Sequence, residues 1–206
     1  MTRLRLIVVV LLLVVYLLPW AALSEGSAAF SLNAYDLAEW ASLHPAERAS
    51  SPILLTSLLL RLPLACIGVA LALTMPNRML AVIVGVIFFA ALLPPLTFIN
   101  QRDDPNYQQQ FMIAALVLVA SVSAAVFMRR VRVLSVMGVL FALVALGAGA
   151  GGALRAADLL RGFGVAASVT LIPVISAALW LTFAATLARR SRNKTTRLAR
   201  RAVVER

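Results

Sequence analysis

The sequence predicts an all-α polytopic membrane protein, a bundle of six transmembrane helices with a short amphipathic helix in the first outer loop. The chain of 206 residues is 62% hydrophobic and only 13% charged, whereas soluble domains are about half apolar and about a quarter charged. Six apolar runs are each long enough to cross a hydrocarbon layer of about 30 Å. Because lipid offers no hydrogen bonds, such runs must satisfy their own backbone groups as helices.

The expected spans divide the chain into one membrane domain, residues 1–188, and a basic tail, residues 189–206. The first run also resembles a cleaved signal peptide, because a basic start precedes it and small residues follow it. Its 18 apolar residues and the aromatic Trp20 at its end favour a retained span instead. In chain order the spans cover residues 6–23, 53–74, 79–99, 111–128, 133–152 and 165–188.

The distribution of basic residues predicts the orientation. Of the 19 Lys and Arg residues, 14 fall in segments on one side of the membrane, four fall on the other side, and Arg61 lies inside a span. Basic residues in short loops stay in the cytoplasm, so both termini are expected there. For a bacterial protein this corresponds to the plasma (inner) membrane.

The first outer loop, residues 24–51, contains the stretch NAYDLAEWASL, which has the pattern of a short helix. Asn33 is a suitable N-cap, and Asp36 is favourable near the positive helix terminus. Apolar residues, including Trp40, fall on one face, and Asp36 and Glu39 fall on another. We expect this helix to lie on the outer membrane surface with Trp40 among the headgroups; a docking surface for a partner protein is the alternative.

Helix start signals precede two of the spans. Ser51 followed by Pro52 suggests an N-cap and first helical position for the second span. Asn77 is expected to cap the third span.

Arg61 is the most unusual residue, because it lies well inside the second span. A buried guanidinium costs a few kcal/mol in a bilayer, so a partner is expected. Pro63 frees the carbonyl of Leu59, which is one possible acceptor. The other candidates are outer carboxylates: Asp36, Glu39, Glu47, Asp103 and Asp104. A structural role, a counter-ion for an anionic ligand or lipid headgroup, and a contact with another subunit all remain open.

Two further features concern helix packing. Gly147 and Gly151 have the GxxxG spacing that allows helices to approach closely, either within the chain or between copies. The surrounding GAGAGG also matches a dinucleotide-binding pattern, but it ends a membrane helix and not a strand, which excludes that interpretation. Pro173 falls within the sixth run and is expected to kink it; broken helices also form solute sites in transporters.

The net charge of +11 is explained by topology and by the tail, so no nucleic acid partner is expected. Membrane lipids are the expected partners, with anionic lipid at the basic tail, where each Lys or Arg contributes about 1 kcal/mol of attraction. Protein partner subunits are also possible, and a partner could dock on the tail.

The sequence predicts no catalytic, cofactor-binding or metal-binding residues. The chain has one histidine, His44, and one cysteine, Cys66, too few for a common zinc site. The expected spans contain no Asp or Glu that could relay protons.

These features favour a non-enzymatic accessory or assembly subunit of a larger membrane complex. The alternative is a small transporter or permease for an anionic or amphiphilic solute, with a site at Arg61 and the Pro173 break. A lipid-modifying enzyme that uses outer-loop residues is a third and more distant interpretation.

Overall fold

In the computed structural model, which describes residues 2–25, 28–96, 100–162 and 166–204, the chain is mostly helical. The helices are α1 (Thr2–Leu17), α2 (Ala34–Leu43), α3 (Pro45–Arg48), α4 (Leu55–Thr74), α5 (Arg78–Leu92), α6 (Pro105–Val126), α7 (Val131–Gly162) and α8 (Ile172–Val204). Three strands accompany them: β1 (Pro19–Glu25), β2 (Ala28–Asn33) and β3 (Ala166–Val169).

Within the described residues, four helices are long and apolar enough to cross a membrane: α4, α6, α7 and the part of α8 from Ile172 to Arg189. α5 is apolar but has only 15 residues, and α1 has 16. At 1.5 Å per residue, these two helices measure only about 22–24 Å. The structure thus supports a membrane protein in general, and the six-span arrangement stays a prediction.

Helix α4 is the centre of the bundle. It packs against α1, α2, α5, α6 and α7, and most of its residues are buried. On one side, its residues join a core shared with α1, α7 and α8, which includes Leu60, Phe183 and Trp180. On the other side, they join a second core with α5 and α6, which includes Val69 and Val117. Residues at the N-terminal end of α4 are therefore held in the middle of the fold.

The structure is mostly helical, as expected of an all-α membrane protein, but it also contains a three-stranded antiparallel sheet in the order β2–β1–β3. The predicted first span extended to residue 23, but α1 ends at Leu17 and the chain then becomes extended. Pro19 explains the change, since proline disfavours helical backbone in the residue before it and cannot continue an α-helix. Apolar residues of β1 such as Trp20 and Leu23 remain buried.

The sixth predicted span is also corrected. Residues 166–169 pair with β1, so α8 begins only at Ile172. Pro173 therefore lies in the first turn of α8 and not in the middle of a helix. Proline is tolerated there because the first amide groups of a helix have no partner within it. The reason for expecting a kink at Pro173, a proline in the middle of a helix, therefore does not apply.

Two predicted caps are confirmed, and one is wrong. The Asn33 Oδ1 accepts from the Asp36 N–H at the start of α2 (2.9 Å), and the Asn77 Oδ1 accepts from the Leu80 N–H at the start of α5 (2.8 Å). Ser51 and Pro52 do not begin the second long helix. α4 starts at Leu55, after a left-handed residue at Leu54 that provides no side-chain cap.

The glycines at the helix contacts are not the predicted pair. A Cβ at Gly147 would meet nothing within 4 Å, so this residue does not mediate a close contact between described elements. Gly151 lies only in ordinary contact range of Leu59. Close approaches occur instead at other glycines, among them Gly152, where a Cβ would lie 3.0 Å from the Leu60 side chain, and Gly85, where it would lie 2.5 Å from the Ser121 Cβ.

We predict that Gly85→Val lowers the free energy of unfolding by about 1–3 kcal/mol more than Gly147→Val does, because overpacking forces α5 and α6 apart. Both substitutions make the same chemical change within a helix, and only the space around the residue differs. Thermal unfolding of the purified protein in detergent measures the difference. Equal melting temperatures for the two variants would contradict the close α5–α6 contact.

Candidate functional site

A polar cluster lies at the N-terminal end of α4, where the three predicted outer segments meet. We call it the end cluster. Its members come from α2, α3, α4, α6 and α7, and hydrogen bonds and ion pairs link them. The members are Glu39, Glu47, Thr56, Arg61, Gln109, Gln110 and Arg155.

Arg61 is paired within the chain. Its side chain is 2% exposed, and its Nη2 lies 2.7 Å from Oε1 of Glu39, whose side chain is 37% exposed. Its Nη1 donates to Oε1 of Gln109 at 3.1 Å. The cation is thus neutralised by one of the five carboxylates that the sequence proposed. The carbonyl of Leu59, freed by Pro63, is not among these recorded acceptors.

The space around this pair is small. Gln110 Nε2 also donates to Glu39 Oε1 at 3.1 Å, so two side chains of α6 help to hold the ion pair. The adjoining cavity, which Tyr35 and Leu92 also line, has a volume of about 10 Å³. That is about the space that a single water molecule needs. Burial raises the pKa of Tyr35, and the Glu39 carboxylate raises it further.

Glu47 provides the cap that α4 otherwise lacks. This buried residue of α3 accepts from the Thr56 N–H at 2.8 Å through Oε2 and from the Thr56 hydroxyl at 2.7 Å through Oε1. A carboxylate at this position satisfies a free amide and complements the positive end of the helix. Arg155 of α7 then pairs with Glu47 at 3.2 Å and donates from Nε to the Thr56 hydroxyl oxygen at 3.2 Å.

An outer ion pair connects the first loop to α6. Arg48 contacts Asp104 at 3.3 Å, and Asp104 also caps α6 by accepting from the Asn106 N–H at 2.8 Å. Asp36 and Asp103, the remaining carboxylates proposed for Arg61, are exposed.

Helix α2 differs from the expected surface helix in what its apolar face contacts. Leu37 and Ala41 are buried in the bundle, and the Ser57 hydroxyl of α4 donates to the Ala38 carbonyl at 2.7 Å. Trp40 is partly buried against the core, and its ring makes an edge contact with that of His44.

The other predicted site residues lie apart from the end cluster. Pro63 is buried in α4, near Gly149 of α7. Pro173 lines a separate groove of about 320 Å³ between α7 and α8, together with Trp20 and Trp180. The structure therefore brings Arg61 and Glu39 together, but it does not bring Pro173 to them.

Sequence reasoning missed four members of the end cluster: Thr56, Gln109, Gln110 and Arg155. Gln109 and Gln110 belong to the run YQQQF, whose polar residues at the start of an apolar helix were a usable signal. Arg155 follows the glycine-rich run of α7, residues 147–152, and was assigned only to an outer loop. The expected fifth span ended at residue 152, but α7 continues to Gly162.

A scan against family models and searches of curated proteins and of solved structures each give no match to this chain. Within the described ranges, no three His, Cys, Asp or Glu side chains are grouped so that they could hold a metal ion.

We predict an asymmetry within the Arg61–Glu39 pair. Glu39→Gln should lower the free energy of unfolding by about 1–3 kcal/mol, since it leaves a buried guanidinium without a countercharge. Arg61→Met should cost less, because the remaining Glu39 carboxylate is partly hydrated and Met suits the apolar helix. Chemical unfolding of the single and double variants measures these values and their coupling. A larger loss in Arg61→Met than in Glu39→Gln would contradict this prediction.

We further predict that Glu47→Gln destabilises the protein by about 1–3 kcal/mol, because it removes the charge that caps α4 and pairs with Arg155. Asp103→Asn is the matched control, since this exposed carboxylate should contribute less than about 0.5 kcal/mol. Thermal unfolding in detergent at low and high salt measures both variants. If the Glu47→Gln and Asp103→Asn variants have the same melting temperature, Glu47 is not a structural cap.

Proposed function

We propose that this protein is a six-span, non-enzymatic subunit that assists the assembly or stability of a larger membrane complex. Both termini would lie in the cytoplasm, and the membrane would be the bacterial inner membrane. The observation that supports this proposal most directly is the pairing of Arg61 with Glu39 and Gln109 beside a cavity of only about 10 Å³. These contacts favour a structural role for Arg61, the cation within the expected second span. The small cavity beside it leaves little room for a solute.

The outer faces of the helices also support a role in contacts within the membrane. α5 and α6 pack on each other and on α4, and they expose large apolar side chains such as Ile87, Met112 and Val119. Such a face is compatible with lipid and with an apolar partner helix.

The permease remains the alternative proposal, with weaker support. It requires polar space that reaches Arg61 or a helix break at Pro173. In the described part of the chain, the cavity beside Arg61 has a volume of only about 10 Å³, room for about one water molecule, and Pro173 lies in the first turn of α8.

Purification of the tagged chain from its native membranes in mild detergent tests the subunit proposal. We expect it to migrate in a complex larger than the monomer, with stoichiometric polypeptides whose abundance falls when the chain is deleted. Mass spectrometry identifies and counts them, and a tagged unrelated membrane protein is the control. The subunit proposal fails if the chain purifies alone and Arg61→Leu abolishes the uptake of a solute without lowering the protein level.

The proposed topology gives a separate prediction. In a Cys66→Ala background, Ser51→Cys should react with an impermeant maleimide on intact cells, because the first loop faces outward. Ser191→Cys, at the start of the tail, should react only after the membrane is opened. Labelling of Ser191→Cys in intact cells would reverse the assigned orientation.

A further inference from the structure

A cavity beside the end cluster, between α3 and the C-terminal end of α7, has a volume of about 680 Å³. Its lining includes His44, Glu47, Arg155 and Asp158. Pockets of about 300–1,000 Å³ with a few well-placed polar groups are typical of ligand sites. Neither the cap on α4 nor the Arg61 pair accounts for this space.

Arg155 is held in place on one edge and exposed on the other. Its Nε and Nη2 are engaged by the Thr56 hydroxyl and the Glu47 carboxylate. The Glu47 side chain is only 2% exposed, whereas that of Arg155 is 44% exposed. The guanidinium is thus oriented by buried groups while part of it faces the cavity. A planar guanidinium fixed in this way is well suited to phosphate oxygens.

A negative charge lies one turn further along the same helix. Asp158 also lines the cavity, and residues at i and i+3 on a helix have Cβ atoms about 5–6 Å apart. Its side chain is 73% exposed and pairs with the exposed Arg161 at 2.9 Å. Exposed pairs of this kind are weak, so an arriving ammonium group can compete for the carboxylate.

These charges lie at headgroup depth if α7 crosses the membrane as proposed. α7 has 32 residues and is about 48 Å long, which exceeds the hydrocarbon thickness of about 30 Å. The expected apolar span ends at residue 152, so Arg155 and Asp158 follow it by one to two turns on the outer side.

We infer that this cavity binds a phosphate–ammonium zwitterion, with the phosphate on Arg155 and the primary ammonium on Asp158. That is the headgroup chemistry of an ethanolamine phospholipid and also of a free phosphorylated amine. The spacing of opposite charges on one helix face fits such a group better than it fits a purely anionic headgroup, which Asp158 would repel. The site is distinct from Arg61 and does not depend on the identity of any partner subunit.

Native mass spectrometry of the full-length protein in detergent tests this inference. Three lipids with identical acyl chains are titrated separately: phosphatidylethanolamine, phosphatidylcholine and phosphatidylglycerol. Glycerophosphoethanolamine, which has the ethanolamine headgroup but no acyl chains, is titrated as the water-soluble comparison. We expect phosphatidylethanolamine to bind most tightly, since the quaternary ammonium of phosphatidylcholine cannot donate a hydrogen bond to Asp158. If glycerophosphoethanolamine binds as tightly as phosphatidylethanolamine, the ligand is a free phosphorylated amine. If the lipid binds more tightly, the ligand is a membrane phospholipid.

Two variants and one control locate the binding. Asp158→Asn should weaken phosphatidylethanolamine binding by about threefold to tenfold and leave phosphatidylglycerol binding unchanged or stronger. Arg155→Lys should weaken the binding of both lipids, whereas Asp103→Asn, an exposed carboxylate that does not line the cavity, should change neither.

Because Asp158 is exposed, its variant remains informative even if Arg155→Lys loses its fold. Equal affinity of wild type and Asp158→Asn for phosphatidylethanolamine would overturn the inference. So would the absence of any preference among the three lipids in the wild type.

Discussion

The burial of a guanidinium in the central helix is the constraint on which the rest of the fold depends. Arg61 lies in α4, which packs against five other helices, so leaving its charge unpaired would destabilise the fold. Glu39 provides the countercharge and Gln109 provides a hydrogen-bond acceptor. α2 must therefore pack onto α4, and the polar residues in the first turns of α6 must face the Arg61 guanidinium.

The first loop is consequently part of the core of the molecule. It contacts α4 through Glu39, which reaches Arg61, and through Glu47, which caps the helix. Arg155 extends this arrangement to α7. Because hydrogen bonds are directional, these contacts fix the position of the loop more precisely than its apolar face alone would. The same arrangement leaves one edge of Arg155 facing the neighbouring cavity.

The sequence predicted the parts of this structure that depend on local chemistry. Asn33 and Asn77 cap the helices that they precede, and Glu39 was among the carboxylates expected to pair with Arg61. Arg155 was missed because it lies 99 residues from Thr56 along the chain, and a local sequence pattern does not predict a contact over that separation. The strands were missed because short apolar runs have no periodicity that separates strand from helix. Pro173 was misplaced for the same reason.

The central position of β1 in the sheet also affects how the chain is made. β1 pairs with β2, which follows it directly, and with β3, where Ala21 lies opposite Val169. During translation, the ribosome must synthesise nearly the whole membrane domain before β3 emerges. Until then, the nascent β1–β2 hairpin has an open edge of unpaired backbone amides and carbonyls, which is able to pair with another strand. The sheet is therefore completed only late in synthesis, because its central strand is made before most of the helices and its last strand is made after them.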